Sequence, residues 1–278
     1  MKSVLSNGGA LGAGLLSSAL TVALITAIDR ALSFNLFSLT VWFVLPIGAF
    51  ATGGLGALGY YFGALKFNAK PTRGMAIGMA VVAGLTQIAL YYSRYSLDTL
   101  GDGRAVHDLV DFPTYVKFML THARYALAPH GVTIGEGVQL GAMGYVAAIV
   151  QFLGLLVGGL AVWAILADRP YCDVCERYAH STMKRECALG GQDVQVPLAQ
   201  LRAHAPLSAE YFAWLDAPDR GGTAVLELEV FECQTCGRRA AVEHPKVIQA
   251  DGKPSYQGEA YRTVWTAADR TAGERVAA

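Results

Sequence analysis

Long uncharged stretches alternate with short charged segments over the first 167 residues of the chain. Asp, Glu, Lys and Arg are absent from four stretches, at residues 9–28, 31–65, 75–93 and 137–167. Each stretch can hold the roughly 20 apolar residues that a helix needs to cross the hydrocarbon layer of a membrane. We therefore predict four transmembrane helices, at residues 9–28, 38–65, 74–95 and 138–166.

The first stretch also has features of a secretory signal peptide, because Lys2 precedes an apolar run. That run has about 20 residues, whereas the core of a signal peptide has about 7–15. No convincing small-x-small cleavage motif precedes Asp29 and Arg30. The sequence therefore favours a first helix that is retained.

The uncharged stretches lack histidine as well as charged residues. Proton-coupled transport generally requires ionisable groups inside the membrane, so this class of function is disfavoured. The polar exceptions, Gln87 and Gln151, are expected to form hydrogen bonds between helices. Pro46 is expected to kink the second helix, because proline removes a backbone hydrogen bond.

Glycines recur at four-residue spacing along the chain. The pairs are Gly59 with Gly63, Gly74 with Gly78, and Gly154 with Gly158. This spacing places two small residues on one helix face, where another helix backbone can approach closely. Packing within one chain would use some of these faces. Their number favours self-association, so we expect a homo-oligomer.

Basic residues between the second and third helices define the expected orientation. Lys66, Lys70 and Arg73 occur there without an acidic residue, which places this connection in the cytoplasm. Both termini then face the cytoplasm, and residues 96–137 lie on the opposite side. Arg94, beside that outer segment, runs against this orientation. We expect an integral protein of a bacterial-type inner membrane or a plasma membrane.

The outer segment is expected to contain an amphipathic helix. Pro113 suits the first turn of a helix. Apolar residues follow an approximate helical stripe, formed by Phe112, Tyr115, Phe118, Met119, Tyr125 and Leu127. Two arrangements fit this pattern equally well, a helix on the outer membrane surface or a small cap packed on the helix ends.

Two Cys-x-x-Cys motifs follow the last predicted helix, Cys172 with Cys175 and Cys233 with Cys236. Each motif forms a tight turn whose backbone NH groups stabilise thiolates, and two such turns supply the four sulfur ligands of a zinc ribbon. Four thiolates fill the tetrahedral coordination of Zn²⁺, which indicates a structural metal. We expect zinc, while iron in a rubredoxin-like site would use the same cysteines.

The spacing of the two motifs predicts an inserted segment. Residues 176–232, 57 in number, separate them, whereas about 15–20 are usual in such ribbons. Ser208 is a candidate N-cap within the insertion. The expected elements are helices at 197–203 and 208–215 and strands at 224–232, 239–248 and 256–265.

Other interpretations of the cysteines carry less weight. Disulfides are disfavoured in the reducing cytoplasm, and two motifs without a βαβ frame favour metal over a redox pair. Cys187 or His180 could replace one ligand, since both follow the first motif. The alternative for Cys187 is a small buried side chain, which is the more common role.

These patterns predict an α-helical integral membrane protein with four transmembrane helices and a small α+β zinc-ribbon-like cytosolic domain. The expected boundaries are 1–95 for helices 1–3, 96–137 for the outer segment, 138–168 for helix 4, 169–266 for the ribbon domain and 267–278 for a flexible tail.

Composition narrows the possible functions. Only 16% of the 278 residues are charged and 53% are hydrophobic, whereas soluble domains have about 25% charged residues. Residues 172–278 carry 12 basic and 15 acidic side chains, and this net charge of −3 disfavours nucleic-acid binding. No nucleotide-binding glycine loop, nucleophile elbow or HExxH motif occurs, so we do not expect an enzyme.

Two main functions remain at this point, besides a weaker third, an enzyme that acts on a lipid with His122 and Arg124 beside the interfacial helix. The first is a membrane scaffold or regulator that presents the zinc-stabilised domain to a cytosolic protein partner. The second is a channel or pore that several copies form through their small-residue faces. The absence of charged side chains from the spans would leave such a pore with a hydrophobic gate.

Overall fold

A computed structural model describes residues 2–32, 36–40, 45–101, 103–122, 124–125, 138–139, 141–191, 193–217, 221–257 and 261–266. The chain forms two compact units, Met1–Asp168 and Arg169–Ala278, which we call the membrane unit and the ribbon unit. The tail expected at 267–278 lies outside the described residues.

Helices dominate the membrane unit. They are α1 (Lys2–Leu32), α2 (Ile47–Phe67), α3 (Arg73–Leu97), α4 (Phe112–His122) and α5 (Met143–Ala167). Three segments are long and apolar enough to cross a membrane, namely Asn7–Leu32, Arg73–Leu97 and Met143–Ala167, and they indicate membrane association. The fourth predicted span corresponds to α2, which is not among them. Six of its 21 residues are glycine, which adds no apolar side chain.

The second helix begins later than the sequence pattern predicts. Pro46 is the N-cap of α2, so the prediction that Pro46 kinks a helix starting at residue 38 is wrong. Proline has no backbone NH, and at the start of a helix that donor would have no partner in any case. Leu36 to Thr40 form a turn and an irregular segment instead.

The small-residue faces of the helices pack against other helices of the same chain. A methyl group added at Gly59 would lie 2.2 Å from the carbonyl oxygen of Ala13 in α1. One added at Gly158 would lie 2.1 Å from the carbonyl oxygen of Phe50 in α2. The α1–α2 and α2–α5 pairs therefore pack backbone to backbone, so two of the three glycine pairs are used within the chain, and the expected homo-oligomer stays a prediction.

Polar groups link the helices as the sequence predicts. The Gln87 amide donates to the Tyr91 hydroxyl at 2.8 Å and to the Ala148 carbonyl of α5 at 3.1 Å. The Tyr91 hydroxyl in turn donates to Gln151 Oε1 at 3.3 Å. The two glutamines thus hold α3 against α5 through hydrogen bonds within the chain.

An ion pair joins the ends of α1 and α3. Arg94 donates to the Asp29 carboxylate at 2.9 Å, and the same carboxylate accepts the backbone NH of Leu36 at 2.8 Å. Pairing neutralises both charges at this end of the helices. The orientation expected from the loops stays a prediction, and Arg94 still runs against it, because acidic residues count little in the positive-inside rule.

The outer segment packs partly on the membrane helices. The predicted helix is present as α4, but it ends at His122, and Tyr125 lies in a short strand. The Phe112 and Tyr115 rings lie 5.5 and 5.4 Å from the Tyr95 ring of α3. The two short strands β1 (Arg124–Tyr125) and β2 (Val138–Gln139) are antiparallel partners.

An antiparallel sheet forms the frame of the ribbon unit. A small hairpin, β3 (Tyr171–Cys172) and β4 (Arg177–Tyr178), precedes it. The sheet contains β5 (His180–Ala188), β6 (Ala224–Glu232), β7 (Arg239–Ile248), β8 (Pro254–Tyr256) and β9 (Arg262–Trp265). Its order is β5-β6-β7, with β8 and β9 both paired to the far side of β7. The strands predicted at 224–232 and 239–248 are confirmed, whereas 256–265 includes the last residue of β8 and all of β9.

Two helices cover one face of this sheet. Helices α6 (Gln195–Arg202) and α7 (Ala209–Leu215) connect β5 to β6, and Ser208 caps α7 by accepting the Tyr211 NH at 3.2 Å. Alternate β6 residues point into the core beneath them, namely Leu226, Leu228 and Val230. The predicted helical insertion is therefore confirmed, and it closes the hydrophobic core.

A buried acid anchors the helices to the sheet. Glu243 of β7 is 1% exposed. It accepts hydrogen bonds from the Tyr211 hydroxyl at 3.0 Å and from Arg202 at 2.9 Å. These bonds satisfy the carboxylate in the core and join α6 and α7 to the same strand.

Candidate metal centre

Two hairpin turns carry the four cysteines of the Cys-x-x-Cys motifs. The first turn connects β3 to β4, with Cys172 paired to Arg177. The second connects β6 to β7, with Glu232 paired to Arg239. We call residues 172–177 the first knuckle and 233–238 the second knuckle.

Strand register explains why knuckles so distant in sequence meet. The first knuckle leads directly into β5, whose first residue, His180, pairs with Glu232 at the end of β6. Glu232 is followed by Cys233, where the second knuckle begins. Antiparallel pairing of β5 with β6 therefore places both knuckles at one end of the sheet.

The four predicted cysteines form one compact cluster. All sulfur atoms lie within 4.8 Å of one another. Those of Cys172 and Cys236 are 3.7 Å apart, too far for a disulfide. A tetrahedral site with Zn–S bonds of 2.3 Å has sulfur–sulfur edges of about 3.8 Å. The cluster therefore has the size and donor set to hold a metal ion, although its metal ligation stays a prediction.

Burial differs within each pair. Cys172 and Cys233, the first cysteine of each knuckle, are 1% exposed, whereas Cys175 and Cys236 are half-buried. Among the described ranges, no other group of three or more Cys, His, Asp or Glu side chains is close enough to hold an ion. The cluster is thus the candidate metal centre of the described chain.

Backbone donors favour thiolate at the second knuckle. Burial opposes ionisation of Cys233, but hydrogen bonds from the backbone NH groups of Cys236 and Thr235 and from neighbouring thiols outweigh it, so that the pKa of Cys233 falls to about 7. Burial raises the pKa of Cys172, and burial followed by thiol hydrogen bonds to Cys236 and Cys233 raises the pKa of Cys175 to about 12. The second knuckle therefore favours the thiolate form, which is the form that binds a metal ion.

Both knuckles require a left-handed residue directly after their second cysteine. Gly237 has φ of 69° and donates its NH to the Cys233 carbonyl at 2.8 Å. Glu176 takes the matching position in the first knuckle with φ of 51°. We did not predict the role of Glu176 from the sequence. Aligning the two motifs, Cys-x-x-Cys-Glu with Cys-x-x-Cys-Gly, would have identified it.

The alternative ligands are not part of the cluster. Cys187 is buried in the core beneath α6 and α7, opposite Leu226 of β6. It lies seven residues beyond His180 along β5, about 23 Å at the rise of a strand. The hypothesis that Cys187 replaces a ligand is therefore wrong. His180 begins β5 with an exposed side chain, outside the cluster.

Four sulfur ligands determine what the centre can do. Four thiolates around a divalent ion complete a tetrahedral shell, which leaves no position for a catalytic water. Such a centre links β3, β4, β6 and β7 and stabilises the fold.

Comparison of the chain with protein-family models, with curated proteins and with solved structures gives no match.

The two knuckles allow a matched test of backbone strain. Glu176→Gly should raise the stability of the ribbon unit by about 1 kcal/mol, because a side chain in the left-handed region costs about that much. Gly237→Ala should lower stability by a similar amount. The measurement is the urea concentration at which the full-length protein releases metal to a chromogenic chelator. Shifts of the two midpoints in the same direction would contradict this account.

Proposed function

We propose that this protein is a membrane scaffold or regulator that presents a zinc-stabilised ribbon to a cytosolic protein partner. The observation that carries the proposal is the cluster of four cysteines, because its four protein donors fill a metal's coordination and leave binding, not catalysis, as the task of the unit. Zinc is the preferred ion, since it holds a small domain together without redox chemistry. Elemental analysis distinguishes it from iron.

The proposal includes α2 as a fourth membrane span. A helix of 21 residues is about 31 Å long, which matches the hydrocarbon layer of about 30 Å. Gly53 and Gly59 bring α2 into close contact with α5 and α1, so neighbouring helices cover much of its surface. Tight packing of small residues is the usual means of association between helices in lipid.

Four spans place both termini on the same side, and the basic α2–α3 connection assigns that side to the cytoplasm. Lys66, Lys70 and Arg73 support this orientation. A reporter that is active only in the cytoplasm should be active when fused after Ala278 and inactive when inserted near Gly103. The reverse pattern would overturn the orientation.

The surface proposed for the partner is the sheet face opposite α6 and α7. We call it the open face and define it by Glu186, Glu227, Glu229, His244, Lys246 and Tyr256, which the strand alternation places away from the core. Lys246 contacts Glu186 and lies 3.5 Å from Glu227. The side chain of Tyr256 is 59% exposed above it. Tyrosine is enriched at protein interfaces, whose rims are polar.

Site-specific crosslinking tests the open face. A photoreactive amino acid at Tyr256 should yield one discrete adduct in cells, whereas the same group at Val196 should yield none. Val196 lies on α6, 64% exposed on the opposite side of the ribbon unit, and is a matched control. Equal labelling from both positions would contradict docking at this face.

An adduct of twice the chain mass would identify a second copy as the occupant and would restore the homo-oligomer expected from the sequence. A pore formed by several copies has less support, because Gly59 and Gly158 pack inside the chain.

A further inference from the structure

A tyrosine hydroxyl is buried without a partner inside the membrane unit. The side chain of Tyr60 on α2 is 2% exposed, and its hydroxyl accepts and donates no hydrogen bond in the described structure. Leaving a buried hydroxyl unsatisfied costs about 1–3 kcal/mol. A ligand that forms a hydrogen bond with this hydroxyl would remove that cost.

Tyr60 lines a pocket enclosed by α1, α2, α3 and α5. Three other residues that carry a hydroxyl group line the same pocket, namely Ser18, Thr52 and Thr86. Ser18 lies near the middle of the Asn7–Leu32 span, so the pocket is at mid-depth in the helix bundle. The surrounding side chains include Met79 and no charged residue.

Hydrogen bonding inside the pocket determines which ligand fits. The hydroxyls of Thr52 and Thr86 donate to the carbonyls of Gly48 and Val82, at 2.7 and 2.8 Å, and keep lone pairs free to accept. Tyr60 supplies the unused donor. The pocket therefore suits a small neutral molecule that both donates and accepts, because a charge would be costly without a counter-charge.

The pocket is small, and its tyrosine is fixed. Its free space has room for about two water molecules at most. A methyl group added at Gly14 of α1 would lie 2.3 Å from the Tyr60 ring, so the ring rests directly on the α1 backbone. This contact limits the movement of the ring.

We propose that this pocket is a water-binding site in which Tyr60 donates to a water molecule and the threonine hydroxyls lie within its reach. The site is independent of the ribbon and of its partner. It gives the membrane unit a hydrated interior, whereas the proposed function treats that unit only as an anchor.

Radiolytic footprinting of the full-length protein in nanodiscs tests the site. X-rays convert bound water into hydroxyl radicals that modify adjacent side chains, including buried ones. Tyr60 and Met79 should be modified at least several-fold faster than two equally buried controls. These are Tyr211, whose hydroxyl is bonded to Glu243, and Met75, which is buried on α3 but does not line the pocket.

A variant separates bound water from general reactivity. In Tyr60→Phe, modification of Met79 should fall toward the rate of Met75, because the water loses its donor. Protection of Tyr60 and Met79 equal to that of the controls would overturn the proposal. Fast modification of Met79 that persists in Tyr60→Phe would overturn it as well, since Tyr60 would then not hold the water.

Discussion

Replacing Cys233 by serine is expected to release the metal and to unfold the ribbon unit, while the membrane helices stay inserted. Cys233 is buried and lies where β6 enters the second knuckle, so its loss frees the end of two strands. Binding of a structural zinc contributes about 10–16 kcal/mol, which is as large as the whole stability of about 5–15 kcal/mol typical of a domain. The ribbon unit should therefore not fold without its metal.

The measurement combines elemental analysis with limited proteolysis of the membrane-embedded protein. We expect about one zinc per chain in the unaltered protein, and none in Cys233→Ser, with cleavage throughout residues 176–232. Cys187→Ala is the matched control, because this cysteine is equally buried but lies in the core away from the cluster. It should keep its zinc. Full metal content in Cys233→Ser would refute the four-cysteine assignment, and retention only in Cys172→Ser would promote His180 to a ligand.

Adjacent glycines on α2 should respond oppositely to alanine. At Gly53, the added methyl group would lie 2.0 Å from the carbonyl oxygen of Leu155, a backbone atom of α5 that cannot turn aside. At Gly54, the nearest atom would be 3.9 Å away, an ordinary contact. We expect Gly53→Ala to destabilise the helix bundle by about 3 kcal/mol through overpacking. Gly54→Ala should stabilise it by up to about 1 kcal/mol, the difference in helix propensity.

Titration with a denaturing detergent in mixed micelles measures both variants, with loss of helical circular dichroism as the readout. The two variants carry the same substitution at adjacent positions of one helix, so they do not differ in membrane insertion or in hydrophobicity. Similar midpoints for Gly53→Ala and Gly54→Ala would show that α2 does not approach α5 at Gly53.

The sequence predicted the features that depend on local residue type. The Cys-x-x-Cys spacing identified all four members of the cluster, because a knuckle is built from consecutive residues. Alternating apolar residues predicted β6 with its correct bounds. The lengths of the uncharged stretches predicted four spans, and three of them are long and apolar enough to cross a membrane, since transfer into lipid depends on composition over about 20 residues.

Features that depend on contacts between residues distant in the sequence could not be predicted in this way. Whether Gly59 contacts α1 or a second copy is a question of tertiary packing, which the four-residue spacing does not answer. Cys187 follows the first motif closely in sequence, but β5 is extended and carries it to the other end of the sheet. The unpaired hydroxyl of Tyr60 was not predicted, because a missing hydrogen bond is a property of the assembled bundle.

The connection between β5 and β6 has a consequence for how the ribbon tolerates change. The chain leaves β5 after Ala188 and enters β6 at Ala224. This is the end of the sheet farthest from the cysteines, where Ala188 pairs with Val225. The path of the chain between those two residues does not affect the distances between the sulfur atoms, which the β5–β6 register sets. A connection of another length can therefore join β5 to β6 with the same register, provided that it still covers the core beneath α6 and α7 and pairs with Glu243. The number of residues between the two motifs therefore depends on the length of the connection, whereas the β5–β6 register determines where the two knuckles meet.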